Sequence, residues 1–170
     1  GERKHFGQVK LELTPRKRGT GNEVVMAVSE DIIPIELHAA IEEGIHEAMT
    51  SGVLGSYPVI DVGVKVTGGA YREGESSVQG YKLAASAAFR DGCLSADPVM
   101  LEPIMMVDVI TPSEFVGDVI GDINSRRGEI QSVNPKGPVS EIKAKVPLKA
   151  MFGYSTDLRS ATQGRAVFSM

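Results

Sequence analysis

The chain has 170 residues, enough for one large domain or two small ones, and 42% of them are hydrophobic, so a core can form. Aromatics are only 5% and Trp is absent, while a formal charge of −4, from 18 basic and 22 acidic residues, argues against a general nucleic-acid binder but allows local basic tips. The single cysteine, Cys93, excludes an internal disulfide framework and a multi-cysteine metal site, and no apolar run approaches the roughly 20 residues of a membrane span.

Nineteen glycines and nine prolines, spread along the chain, predict short elements joined by tight turns, hence an α+β fold rather than a helical bundle. The first half reads as a strand over Gln8 to Thr14, a basic loop from Arg16 to Gly21, and a second strand near Glu23 to Ser29. After Pro34, the residues Leu37, Ala40, Ile41, Gly44, Ile45, Ala48 and Met49 keep the spacing of a helix that Gly52 stops. Ile60, Val62, Val64 and Val66 then alternate with polar or small residues as a half-buried strand, and Gly68 to Glu75 is expected to be loop. Ser76 or Ser77 caps a second helix through Leu83, Ala84, Ala87 and Ala88 to about Asp91.

Two prolines between Asp97 and Pro103 mark a boundary, dividing the chain into 1–98 and 99–170. The second part reads as strand, helix, strand, strand, helix, strand, the split ferredoxin-like plan. Thr111-Pro112-Ser113-Glu114 has the form of a capping box, followed by a buried stripe of Phe115, Val116, Val119, Ile120 and Ile123 that ends at Gly128. Gly117 and Gly121 are expected to permit close packing. Strands over Glu129 to Val133 and Glu141 to Val146 flank a turn at Asn134 to Pro138, and Arg165 to Met170 closes the sheet. A strand beginning near the first residue and an apolar stretch near Met170 predict an excised fragment. Polar, charged residues after Gly1 predict no signal peptide, and the lone thiol fits a reducing cytoplasm.

No catalytic constellation emerges. A Gly-Lys-Ser/Thr triplet and a nucleophile elbow are both missing from the sequence. His38, Glu42, Glu43 and His46 point in different directions around one helix and read as a solvated face, not a metal site. Cys93 has no His or Asp placed to activate it.

Family resemblance comes from ordered blocks. Leu101-Glu102-Pro103-Ile104-Met105, Thr111-Pro112, Gly117-Asp118-Val119-Ile120-Gly121-Asp122 and Arg126-Arg127-Gly128 come first. Val146-Pro147-Leu148, Met151-Phe152-Gly153-Tyr154, Asp157-Leu158-Arg159-Ser160 and Thr162-Gln163-Gly164-Arg165 follow. Together these resemble the fifth domain of elongation factor G. Ile33-Pro34, Gly44-Ile45, Gly52, Tyr57-Pro58-Val59 and Lys82-Leu83-Ala84 resemble its fourth domain more sparsely.

The resemblance implies a ribosomal-protein-like βαβ fold with a left-handed crossover in the first part and a ferredoxin-like fold in the second. It implies a cytoplasmic, monomeric, non-catalytic portion of a translational GTPase, with GTP and Mg held in a GTPase domain outside this sequence. Its partners would be the ribosome (both subunits), ribosomal RNA, and tRNA and mRNA at the decoding region, with no membrane. The implied function is GTP-dependent translocation; the alternatives are a paralogue for ribosome recycling or ribosomal protection, and, remotely, a free-standing ferredoxin-like enzyme or ligand-binding module. Arg3, Lys4 and His5 would form one tRNA- and mRNA-facing tip and Tyr71 with Arg72 another, while Arg126 and Arg127 are candidates for ribosomal RNA. His5 stands where the family usually has Gln, and Arg72 where a His commonly follows the Tyr. Arg16-Lys17-Arg18 reads as a solvated turn.

Overall fold

The computed structural model describes residues 3–170, which divide into two units, the first ending at Met100 and the second Leu101–Met170. The first unit contains β1 (Gln8–Pro15), β2 (Glu23–Met26), α1 (His38–Ser51), β3 (Val62–Ala70) and α2 (Val78–Ser95). Its sheet order is β1-β3-β2, with β1 antiparallel and β2 parallel to β3, so β2-α1-β3 is a βαβ unit. Ile33, Ile41 and Ile45 pack with Val64, Val66, Tyr81, Ala85 and Phe89 into one core. Removing these side chains from water is the main driving force for the unit.

The second unit contains β4 (Ile104–Pro112), α3 (Val116–Ser125), β5 (Glu129–Lys136), β6 (Val139–Pro147), α4 (Tyr154–Ala161) and β7 (Val167–Ser169). Its sheet order is β5-β6-β4-β7, every pair antiparallel, which is the ferredoxin-like arrangement. Val107, Val109, Ile142, Ala144 and Val146 point from one sheet face into a core closed by Val119, Ile123, Tyr154 and Leu158.

Several local expectations need correction. Ile60 is exposed and outside β3, because Asp61 takes a left-handed φ of 57° that breaks the extended chain before Val62. Gly68, Gly69 and Ala70 are strand, not loop: they pair with Lys10, Val9 and Gln8 across a register shift between Lys10 and Leu11. Gly69 is needed there, since a Cβ would lie 2.1 Å from the Gln8 carbonyl oxygen. β2 stops at Met26, because the Ser29 carbonyl turns the chain by accepting from the amides of Ile32 and Ile33. Along α2 the buried stripe is Tyr81, Ala85, Phe89 and Cys93, while Leu83 is exposed.

Thr111 is not a helix cap. It belongs to β4, is fully buried opposite Ser140, and donates to the Pro112 carbonyl oxygen; a 3-10 turn at Ser113–Phe115 precedes α3. Glu114 pairs instead with Arg165, at 2.7 Å. The helix ends on Arg127 in the left-handed region (φ 61°), and Gly128 allows close approach, since its Cβ would lie 2.5 Å from Ile123. Gly117 and Gly121 face open space, so close packing does not explain them. The β5–β6 turn is shorter than expected, with Gly137 (φ 66°) and Pro138 between paired Lys136 and Val139. Glycine at the first position of a two-residue hairpin loop is the type II′ pattern.

Candidate nucleic-acid interface

The two tips predicted from sequence are one structure. A parallel bridge joins Phe6 to Ser76: the Phe6 amide donates to the Glu75 carbonyl oxygen at 2.9 Å, and the Ser77 amide donates to that of Phe6 at 3.2 Å. The junction closes because two glycines meet backbone to backbone. A Cβ on Gly7 or on Gly80 would lie 2.3 Å from atoms of the other segment. Ser77 caps α2 by accepting from the Gly80 amide at 3.0 Å, and its hydroxyl also shares a 3.0 Å hydrogen bond with His5 Nδ1.

Glu75 sits at the centre. Lys4 Nζ donates to its Oε1 at 2.8 Å and Arg72 approaches Oε2 at 3.8 Å, so two cations from different segments share one carboxylate. The Arg72 guanidinium also lies 4.3 Å from the centre of the Phe6 ring, a cation–π distance. Arg3, Lys4 and His5 line one side of an open cleft of about 590 Å³; Glu73, Gly74, Glu75 and Ser77 line the other. Tyr71, 44% exposed, follows the end of β3. Thus Arg3, Lys4, His5 and Arg72 come together, and Phe6, Glu75 and Ser77 join them as residues that sequence pattern alone did not assign to the site. Only the cap signal at Ser77 is visible in the sequence.

The Lys4 hydrogen bond, aided by the charges of Lys4 and Arg72, holds the Glu75 carboxyl below the ordinary carboxylate range. A depressed folded pKa means the contact is complete above the unfolded value and is lost as pH falls through the folded one. Replacing Lys4 by Ala is therefore expected to move the Glu75 titration upward towards the ordinary glutamate range. Carboxyl-detected NMR checks this; an unchanged midpoint would place Lys4 away from Glu75 in solution.

Arg126 and Arg127 part ways. The Arg126 side chain is only 11% exposed. Its Nε donates to Asp122 at 3.0 Å, one terminal nitrogen donates to the carbonyls of Ala150 at 2.6 Å and Phe152 at 3.1 Å, and the other meets Asp157. The guanidinium also lies 5.1 Å from the centre of the buried Tyr154 ring. As an RNA contact Arg126 needs correction, because four of the five N–H donors of this largely buried guanidinium are engaged inside the fold. Arg127 remains outward, 67% exposed and loosely paired with Glu102 at 3.5 Å.

His38 bonds the Ile33 carbonyl through Nε2 at 2.8 Å and His46 faces Glu42 at 3.7 Å, so the helix-face histidines have local partners. Cys93 is buried, and burial pushes its thiol up. No helix among the described residues is long and apolar enough to cross a membrane.

By fold, then, the chain is a pair of small sheet-based α/β units, one of them carrying a compact knob of cations and aromatics. It belongs to the elongation factor G family: residues 1–97 match the model "Elongation factor G, domain IV" and residues 99–170 match "Elongation factor G C-terminus". Among curated relatives, Elongation factor G 2 of Syntrophus aciditrophicus (strain SB) is 59% identical over 170 residues, covering 100% of this chain and 25% of that protein. A crystal structure from Thermus thermophilus superposes with a TM-score of 0.81 at 37% identity, over 95% of this chain and 24% of the other. The chain thus spans about a quarter of the length of these relatives.

Proposed function

We propose that this chain is the ribosome-engaging portion of an elongation factor G and promotes GTP-dependent translocation of tRNA and mRNA during protein synthesis. Membership of a family of translational GTPases supports the ribosome as partner. The observation that carries the finer reading is the fused knob, in which Glu75 ties Lys4 and Arg72 together over Phe6. Such a knob presents cations for phosphates, and the exposed Tyr71 ring beside it an aromatic face for unstacked bases, the contacts by which folded RNA is held. Fixed before contact, these groups lose little conformational freedom on docking. The first unit acts as a rigid wedge at the decoding region and the second contacts large-subunit RNA, with Arg127 the cation offered there.

These residues do not fit a nucleotide, since the sequence has no Gly-Lys-Ser/Thr triplet to cradle phosphates. GTP and Mg belong, in this reading, to a separate GTPase domain of a cytoplasmic, monomeric full-length protein, and the chain itself is non-catalytic. His5 and Arg72 at the knob favour a second reading, a paralogue for ribosome recycling or protection. Full-length protein with GTP on purified ribosomes separates the two. Movement of mRNA by one codon is expected; subunit splitting with the recycling factor, without movement, would overturn translocation in favour of recycling.

A further inference from the structure

We propose that Lys17 and Arg18 form a second RNA-contact point, a pre-organised basic loop that grips phosphates of ribosomal RNA at the end of the first unit remote from the knob. The proposal rests on the ribosome-engaging reading above and extends it to a part of the chain that reading does not use.

A solvated turn needs no internal scaffold, yet this loop has one. The Asp61 carboxylate accepts from the Gly19 amide at 3.0 Å and the Gly21 amide at 2.8 Å, and the Asp61 carbonyl oxygen accepts from the Arg16 amide at 2.8 Å. Those two glycine amides, foremost, hold the Asp61 carboxyl below its ordinary range, so the anchor stays ionised. Gly19 (φ 81°), Gly21 (φ 79°) and Asp61 (φ 57°) all adopt left-handed backbone to make this closure. Arg16 folds inward, donating to the carbonyls of Thr20 at 3.2 Å and Gly21 at 2.6 Å and pairing with Glu23 at 3.3 Å. Asn22 fastens the far side, donating to the Val59 carbonyl at 2.8 Å and accepting from the Val62 amide at 3.0 Å.

Arg16 is thereby consumed, while Lys17 and Arg18 are exposed and make no ion pair among the described residues. Elsewhere in this net-negative chain, Lys4, Arg72, Lys136 and Arg165 face carboxylates, while Arg3, Lys10, Lys65, Lys145 and Arg159 are also exposed and make no ion pair among the described residues, but none of those five adjoins another in the chain. Two adjacent unpaired cations on a fixed loop match successive backbone phosphates, which bind cations with release of counterions. The loop follows β1, whose eight residues put it roughly 25 Å from the knob at about 3.3 Å per residue. Contact at both ends of one strand fixes orientation, which a single point cannot do.

The test measures affinity of the full-length protein for ribosomes across a KCl series, comparing wild type with Lys17→Ala/Arg18→Ala and with the charge-keeping Lys17→Arg/Arg18→Lys. Hydroxyl-radical footprinting of the ribosomal RNA backbone accompanies each. Loss of two phosphate contacts should flatten the slope of log affinity against log salt by roughly 1.4 to 1.8, so the wild-type advantage shrinks about tenfold between roughly 50 and 200 mM salt. A protected backbone stretch should vanish in the alanine variant, return in the charge-keeping one, and differ from the stretch lost in Lys4→Ala/Arg72→Ala. Wild-type affinity and slope in the alanine variant overturn the inference alone. Weakened binding with an unchanged RNA footprint also overturns it, in favour of an acidic protein partner. Wild-type protein that fails to bind ribosomes overturns the underlying reading as well.

Discussion

Replacing Arg126 by Ala is expected to destabilise the second unit by about 3 kcal/mol, the upper end of what one hydrogen bond to a charged group contributes, because several such bonds are lost at once. The side chain joins three segments that sequence separates: Asp122 on α3, the carbonyls of Ala150 and Phe152 in the connection after β6, and Asp157 on α4. Alanine leaves two carbonyls and the 27%-exposed Asp122 without their donor. Hydrogen bonds to a charged group contribute about 1.5 to 3 kcal/mol each, but they share one side chain and are not additive. Asp157 is 57% exposed, so water takes up its charge and that contact adds little. A unit of this size has roughly 4 to 10 kcal/mol of stability in all, so the loss is a large fraction of it. Hydrogen exchange of β4 and β6 amides in increasing urea reports this unit by itself. Lysine at the same position keeps the charge but not the planar fork, and should recover less than half. A loss under about 1 kcal/mol for alanine would mean that the segments hold together without the clamp.

Sequence pattern reached the class of both units and missed where side chains meet. Alternation at Val62, Val64 and Val66 and helical spacing from Leu37 to Met49 depend only on which face is dry, and that is local information. Thr111 fails as a cap because β4 runs on through Pro112 to pair with Val139, and a strand partner 27 residues away outweighs a four-residue signal. Asp61 looked like the polar half of an alternation, but its value lies in two glycine amides some 40 residues earlier. Arg126 and Arg127 are neighbours of the same type, and only the folded carbonyls of Ala150 and Phe152 distinguish an internal clamp from an outward cation. The knob has the same origin: positions 3–7 and 71–77 carry no pattern that pairs them until the Phe6–Ser76 bridge forms.

Gly80→Ala should separate stability from activity. The new methyl would lie 2.3 Å from the Phe6 carbonyl oxygen and 2.5 Å from its carbon, and neither is a side chain that can rotate away. Overpacking of this kind costs about 1 to 3 kcal/mol, whereas alanine in place of glycine near the start of α2 returns up to about 1 kcal/mol of helix propensity. Global stability therefore falls only modestly, by about 1 kcal/mol, because the strain has an outlet: the Phe6–Gly7 segment can lift off the helix. Lifting it breaks the Phe6 amide bond to Glu75, the Ser77 amide bond to Phe6, and the stacking of Arg72 on the Phe6 ring. If the knob docks on the ribosome as proposed, it then arrives unformed and must be ordered on docking, a penalty of about 1.4 kcal/mol or more that would read out as a roughly tenfold slower translocation rate of the full-length protein. Amide exchange at Phe6 and Ser77 should rise by orders of magnitude in the same variant while the amides of β3 stay protected. A variant with wild-type exchange at Phe6 would show that α2 yields instead. A variant with a mobile Phe6 and a normal translocation rate would remove pre-organisation from the account of how this end of the molecule works.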